Sequence, residues 1–229
     1  MRKKRFIYTL AAVLLMCSAA GVGAGCGKSS PALLDSFGTH LDTLMTSKDK
    51  LSKMDGAAAD LCVIENEDGF SENDIEAPAG ALFNITDQKT LYSKNANDER
   101  EIASITKIMT ALLAMKYADL SQEVTISYTP EGLESSAVLC GFEQGDKMML
   151  SSLLSAALIY SGNDAAIDIA IAVAGSQEAF VDMMNQESKE LMTSHTHFAN
   201  PTGLTQSKHY SSVYDVYLMF QECLKYPTF

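Results

Sequence analysis

Residues 103–114 read ASITKIMTALLA, and they set the frame for the rest of the chain. From Ser104 to Ala118 the run is apolar on almost every side. A helix of that kind must be buried, so it is expected at the centre of a domain. Ser104 opens it, and Lys107 follows one turn later. Residues three apart on a helix share a face, so the hydroxyl and the amine can meet. The helix N-terminus supplies unpaired N–H groups and a positive dipole end, where a developing oxyanion is stabilised. Among Ile108, Met109 and Leu112 the amine loses hydration, which favours its neutral form and lets it take a proton from serine near neutral pH. The pattern nominates Ser104 as nucleophile and Lys107 as its base. The bland alternative is a serine helix cap with the lysine reaching solvent. The same spacing recurs in Ser47-Lys48-Asp49-Lys50, but there it lies in a polar stretch.

Ser161-Gly162-Asn163 is the second candidate group. It follows an apolar segment, Leu150 to Tyr160, expected to be a buried helix, and precedes the helix that Asp164 begins and that runs to Ala174. Ser-Gly-Asn is good turn and cap chemistry in its own right. Placed at the mouth of a buried helix, however, its hydroxyl and amide can also relay a proton and hold a peptide group. Ser71-Glu72-Asn73 repeats the pattern without those neighbours. His40, His195, His197 and His209 are expected to stabilise loops or lie at the surface rather than to build a Ser-His-Asp arrangement.

Upstream of the central helix, Gly80 to Thr86 and Thr90 to Lys94 read as a β-hairpin turning at Asp87-Gln88-Lys89. A short strand near Val124 to Ser127, a turn at Gly141 to Asp146 and an amphipathic helix from Gln177 to Met192 complete the pattern. The chain has 229 residues, 47% of them hydrophobic, enough for one domain with a sizeable core. Lys and Arg total 17 against 29 Asp and Glu, a net charge of -12, so nucleic acid is not an expected partner.

Residues 1–25 begin MRKKRFIYTL, a basic start running into an apolar stretch, and read as a signal peptide for export. A permanent membrane-spanning helix is the alternative, but the closing Gly and Ala run is what a signal peptidase accepts. Val22-Gly23-Ala24 suits an ordinary cut. Gly23-Ala24-Gly25-Cys26 resembles a lipoprotein signal, with Gly23 where Leu or Val is usual, and lipid attachment at Cys26 is the preferred form. Residues 26–78 read as a polar tether and 79–229 as the folded domain. Cys62, Cys140 and Cys223 are widely spaced and odd in number, so they are expected to be small buried side chains without metal.

A serine-x-x-lysine box followed by a serine-x-asparagine box resembles the start of the three-part signature of penicillin-binding proteins and serine β-lactamases. Within that superfamily the chain is similar to the low-molecular-mass D-alanyl-D-alanine carboxypeptidases. Residues 103–114, QGDKMMLSSLLSAALIYSGNDAA at 144–166, FVDMMNQESKEL at 180–191, THFANPTGL at 196–204 and HYSSVYDV at 209–216 carry the likeness. The resemblance implies an α+β fold, an antiparallel sheet flanked by a helical cluster. It implies that Ser104 attacks the penultimate D-alanine carbonyl of a peptidoglycan stem peptide ending in D-Ala-D-Ala, forming an acyl-enzyme. In that scheme Lys107 is the base, Ser161 passes a proton to the leaving amine, Asn163 bonds the substrate amide, and the Ser104 N–H forms half of an oxyanion hole. β-Lactams would acylate the same serine, and no cofactor or metal is implied. The family's lysine-threonine-glycine box does not occur in the sequence, so the chain is expected to lack the final strands of the fold. That leaves a non-catalytic penicillin-binding lipoprotein as one alternative. A β-lactamase is the other, disfavoured because Gly162 stands where that class carries Asp.

Overall fold

The apolar run after Ser104 becomes the hub of the computed structural model, which describes residues 61–62, 75–128, 133–135 and 137–229. Ala103–Thr106 makes a 3-10 turn, and helix α1 continues over Lys107–Tyr117. The turn replaces the regular helix start expected at Ser104. Ala103 has a left-handed φ of 45°, so the chain enters at an angle that an α-helix cannot continue. Met109, Ala111, Leu112, Leu113 and Ala114 are all buried. An all-round apolar helix must be wrapped. Four helices do this for α1: α2 (Leu150–Ile159), α3 (Asn163–Ala174), α4 (Gln177–Glu190) and α5 (Val213–Cys223).

Helix α2 departs from expectation. Only Leu150, Leu153, Leu154 and Ala157 are buried, whereas Ile159 is 87% and Tyr160 62% exposed. The buried set has the i, i+3, i+4, i+7 spacing of one helix face, so α2 packs as a one-sided helix although its composition is apolar throughout. Helix α3 buries Ile169 together with Ala165, Ala166 and Ala170, the alanines allowing close helix packing, and ends at Gly175 in the left-handed conformation with φ 83°. Helix α4 is amphipathic, with Ser176 capping its start by accepting from the Ala179 N–H. It is joined to α1 by Lys116, whose Nζ donates to both oxygens of the buried Glu187 at 2.9 and 2.8 Å. Helix α5 was not anticipated as a separate element. Its signal was present: Ser212 accepts from the Asp215 N–H, and Tyr214, Tyr217, Leu218 and Gln221 line one buried face.

The sheet component consists, among the described residues, of two short ladders. Strands β1 (Gly80–Asn84) and β2 (Lys89–Lys94) form the expected hairpin, whose turn is closed by Asn84 Oδ1 accepting from the Thr86 and Asp87 N–H groups. Residues 82–93 of it fall in a separate unit from residues 94–229. Strands β3 (Glu123–Thr125) and β4 (Lys147–Met149) pair antiparallel with Val124 opposite Met148, and β4 leads directly into α2. The class is α+β. Cys26, the signal segment, most of the tether, His40, Ser47 to Lys50 and Ser71 to Asn73 lie outside the described residues. No helix among the described residues is long and apolar enough to cross a membrane.

Candidate active site

The 3-10 turn and the first turn of α1 hold Ser104 and Lys107 on one side, with Ser104 Oγ and Lys107 Nζ 3.1 Å apart. Ser104 is exposed while Lys107 is only 2% exposed, so the hydroxyl faces outward over a sequestered amine. Ser161 sits between α2 and α3 with a left-handed φ of 63°, and its Oγ donates to Ser104 Oγ at 2.9 Å. Its oxygen is 3.5 Å from Lys107 Nζ. Asn163 opens α3. Its Oδ1 accepts from Lys107 Nζ at 2.9 Å, and its Nδ2 donates to the Val138 carbonyl at 3.1 Å, which fixes the amide's orientation. The structure thus brings together Ser104, Lys107, Ser161 and Asn163. Two of the backbone positions that aim this cluster, Ala103 and Ser161, occupy left-handed φ values that cost non-glycine residues on the order of 1–3 kcal/mol each.

Lys107 is the electrostatic centre. Burial pulls its pKa down from 10.5 to about 8, with Cys140 offsetting a little of the shift. Its hydrogen-bond partners are neutral oxygens: the hydroxyls already named, the Asn163 amide, and the Thr202 carbonyl at 2.8 Å. The positive end of α1 disfavours an ammonium there as well. At pH 7 a lysine with a pKa near 8 is neutral roughly one time in ten, against about one in three thousand at 10.5. A neutral amine has two N–H donors and one lone pair. Asn163 and Thr202 offer the two shortest acceptor contacts, which leaves the lone pair for the Ser104 hydroxyl.

The Thr202 carbonyl was not foreseen. It is delivered by a loop that the side chain of Asn200 folds: Asn200 Oδ1 accepts from the N–H groups of Thr202 and Gly203 and from Thr202 Oγ1, and Asn200 Nδ2 donates to the Leu204 carbonyl. The Pro201 carbonyl accepts from Thr110 Oγ1 at 2.7 Å, pinning the loop to α1. Gly203 has φ 87°, and a Cβ there would stand 1.9 Å from the Ala103 carbonyl oxygen, so only glycine lets the loop lie against the turn that carries Ser104. The sequence signal was Asn-Pro-Thr-Gly, a turn-forming string whose role lies in its backbone.

Asp164 shapes the opposite wall, accepting from the Cys140 N–H with Oδ1 and from the Gly141 N–H with Oδ2, both at 3.0 Å. Cys140 corrects the expectation that all three remaining cysteines are buried. It is half-exposed, whereas Cys62 and Cys223 are buried, and all three are free thiols. Desolvation and the neighbouring Asp164 push its thiol up to about 11, so it stays protonated near neutral pH. The histidines take other partners: His195 Nδ1 lies 3.0 Å from Ser194 Oγ, His197 Nδ1 donates to the Lys208 carbonyl, and His209 is buried.

A family model described as D-alanyl-D-alanine carboxypeptidase matches residues 66–229. The D-alanyl-D-alanine carboxypeptidase DacF of Bacillus subtilis is 41% identical over 156 residues, covering 66% of this chain and 40% of that protein. Among solved structures, a serine-to-alanine variant of a Streptomyces DD-transpeptidase superposes with a TM-score of 0.63 at 30% identity, covering 68% of this chain and 64% of the other. The D-alanyl-D-alanine carboxypeptidase DacD of Francisella tularensis gives 0.61 at 28% identity, covering 69% and 39%. The chain spans about 40% of the length of that Bacillus relative. The helical cluster with its short antiparallel strands is the fold of these penicillin-binding enzymes.

Proposed function

The chain belongs to the D-alanyl-D-alanine carboxypeptidase family, and on that premise we propose that it releases the terminal D-alanine from peptidoglycan stem peptides through an acyl-enzyme on Ser104. The observation that carries this reading is the exposed Ser104 hydroxyl, 3.1 Å from a buried lysine amine whose pKa is about 8. Neutral Lys107 takes the Ser104 proton as Oγ attacks the penultimate D-alanine carbonyl carbon. The tetrahedral adduct collapses by breaking the C–N bond to the terminal D-alanine. Ser161, in reach of both Ser104 Oγ and Lys107 Nζ, returns the proton to the departing amine. Water then attacks the ester, with Lys107 again taking the proton, and Ser104 is regenerated. Asn163, held by the Val138 carbonyl, offers its amide to the substrate's peptide group while its Oδ1 steadies Lys107. β-Lactams, as cyclic mimics of the scissile amide, would acylate the same hydroxyl and remain attached.

Ser104→Ala should abolish covalent labelling by a fluorescent penicillin and D-alanine release from a peptide ending in D-Ala-D-Ala. Its melting temperature should barely move, because Ser104 is exposed. Persistent labelling of that variant would remove Ser104 from the mechanism. The basic start Arg2 to Arg5 and the apolar stretch after it support export, with the domain working at the outer face of the cytoplasmic membrane or in the cell wall. Cys26 is the residue we assign to lipid attachment.

A further inference from the structure

Thr106 lies inside the Ser104–Lys107 turn, and its buried hydroxyl is 2.7 Å from Nε2 of His209. His209 is 4% exposed, and its other nitrogen, Nδ1, accepts from the Ala199 N–H at 3.1 Å. A backbone N–H can only donate, so Nδ1 must hold the lone pair. The proton of the neutral ring is therefore on Nε2, donated to Thr106 Oγ1. Phe198 meets the ring edge-on at 5.9 Å and limits its rotation. Ala199 immediately precedes Asn200, whose side chain folds the loop that sends the Thr202 carbonyl to Lys107 and sets Gly203 against Ala103. One imidazole thus joins the two backbone segments that between them hold the nucleophile, the base and the base's carbonyl acceptor.

We infer that His209 is a positioning residue for the Ser104–Lys107 pair: neutral, it locks the nucleophile turn to the 199–203 loop, and a second proton on the ring releases that lock. The inference rests on the roles proposed above for Ser104 and Lys107. A proton added at Nδ1 would face the Ala199 N–H donor to donor, so the loop or the ring must move. Burial and the neighbouring His197 hold the ring's pKa below its ordinary 6.5, which keeps the lock closed at neutral pH. Of the other charged and titratable groups, Glu101 lines the small cavity beside the ring, and Glu99, Arg100, Lys208 and Tyr210 line the adjoining cleft.

The test is the pH dependence of Ser104 acylation by a fluorescent penicillin in the intact chain. Protonation of Lys107 alone lowers the rate about ten-fold per pH unit on the acid side. With His209 as a second essential neutral group, the fall steepens to about a hundred-fold per unit below the histidine's own pKa. His209→Gln keeps a side-chain donor for Thr106 but does not titrate. It should stay within a few-fold of the parent near neutrality and show only the ten-fold slope. Thr106→Ser should preserve the steep limb, and Thr106→Val should lose it. A readout independent of turnover is the NMR titration of the Lys107 Cε resonance, which should show a second, smaller step where His209 protonates and lose it in His209→Gln. A parent with the shallow slope throughout, or a lysine resonance without that step, overturns the positioning role. If Ser104 is never acylated at any pH, the proposed function fails instead, and the lysine titration alone decides the inference.

Discussion

Replacing Lys107 by methionine isolates the property on which the proposed chemistry turns. Methionine is apolar, unbranched and of similar reach, so it can occupy the space without an ionisable group. The native amine has a pKa of about 8, against 10.5 for an ordinary lysine. Below about pH 8 both folded and unfolded chains hold the proton, and the native state carries the full penalty, about 3 kcal/mol. Between about 8 and 10.5 the unfolded chain binds more protons than the native one, so stability must climb as pH rises, and above that window the penalty is gone. The variant feels none of this. It does lose the donors that satisfy Asn163 Oδ1 and the Thr202 carbonyl, at about 1–3 kcal/mol each, but that loss is nearly independent of pH. The quantity to measure is therefore a double difference: urea unfolding of parent and Lys107→Met at about pH 7 and at about pH 10. The parent should gain roughly 2–3 kcal/mol on the variant over that interval, a midpoint shift of about 1 M urea. Cys140, pushed up from 9.0 to about 11, lowers the stability of both proteins as the thiol of the unfolded chain ionises above about pH 9, and this contribution cancels to first order in the double difference. Parallel pH profiles for the two proteins would mean that Lys107 titrates as a hydrated lysine, and the base assignment would fall with it.

Two further outcomes are expected. Gly203→Ala places a methyl 1.9 Å from the Ala103 carbonyl oxygen at a φ of 87°, so it should cost about 3 kcal/mol and displace the Ser104 turn. Thermal unfolding and penicillin labelling should both fall, and a variant unchanged in either would show that the loop does not bear on the turn. Cys26→Ala should release the exported protein from the membrane fraction and abolish incorporation of labelled palmitate, whereas unchanged membrane retention would point to the uncleaved apolar stretch as the anchor.

The parts of the site that could be read from residue letters were those whose meaning is local. Ser104 and Lys107 meet because three positions on a helical turn bring them together, and that holds for both the 3-10 turn found and the α-helix expected. Ser161 and Asn163 were legible through their place at the junction of two apolar segments. The Thr202 carbonyl, the acceptor nearest the Lys107 amine, had no letter to announce it, since every residue carries a carbonyl and only the loop folded by Asn200 aims this one. His209 had a letter, but its meaning depends on Thr106 and Ala199, which the fold supplies from distant and near sequence alike. Exposure at Ile159 and Tyr160 was hidden because composition does not say which face of α2 meets a neighbour.

The two lysines of α1 show where that boundary lies. Lys107 and Lys116 stand on the same helix among comparable apolar neighbours, and by composition either could have been a desolvated amine. Desolvation alone would depress both. At Lys116, however, hydrogen bonds to Glu187 and Tyr117 outweigh it, and the pKa moves above the ordinary lysine value. Lys107 meets an amide, a carbonyl and two hydroxyls instead, and stays depressed. One lysine is therefore a tie between α1 and α4, and the other is suited to accept a proton. What separates them is the charge of a partner far away in the chain. A carboxylate carried in place of Asn163 would be enough to draw Lys107 into a second structural ion pair.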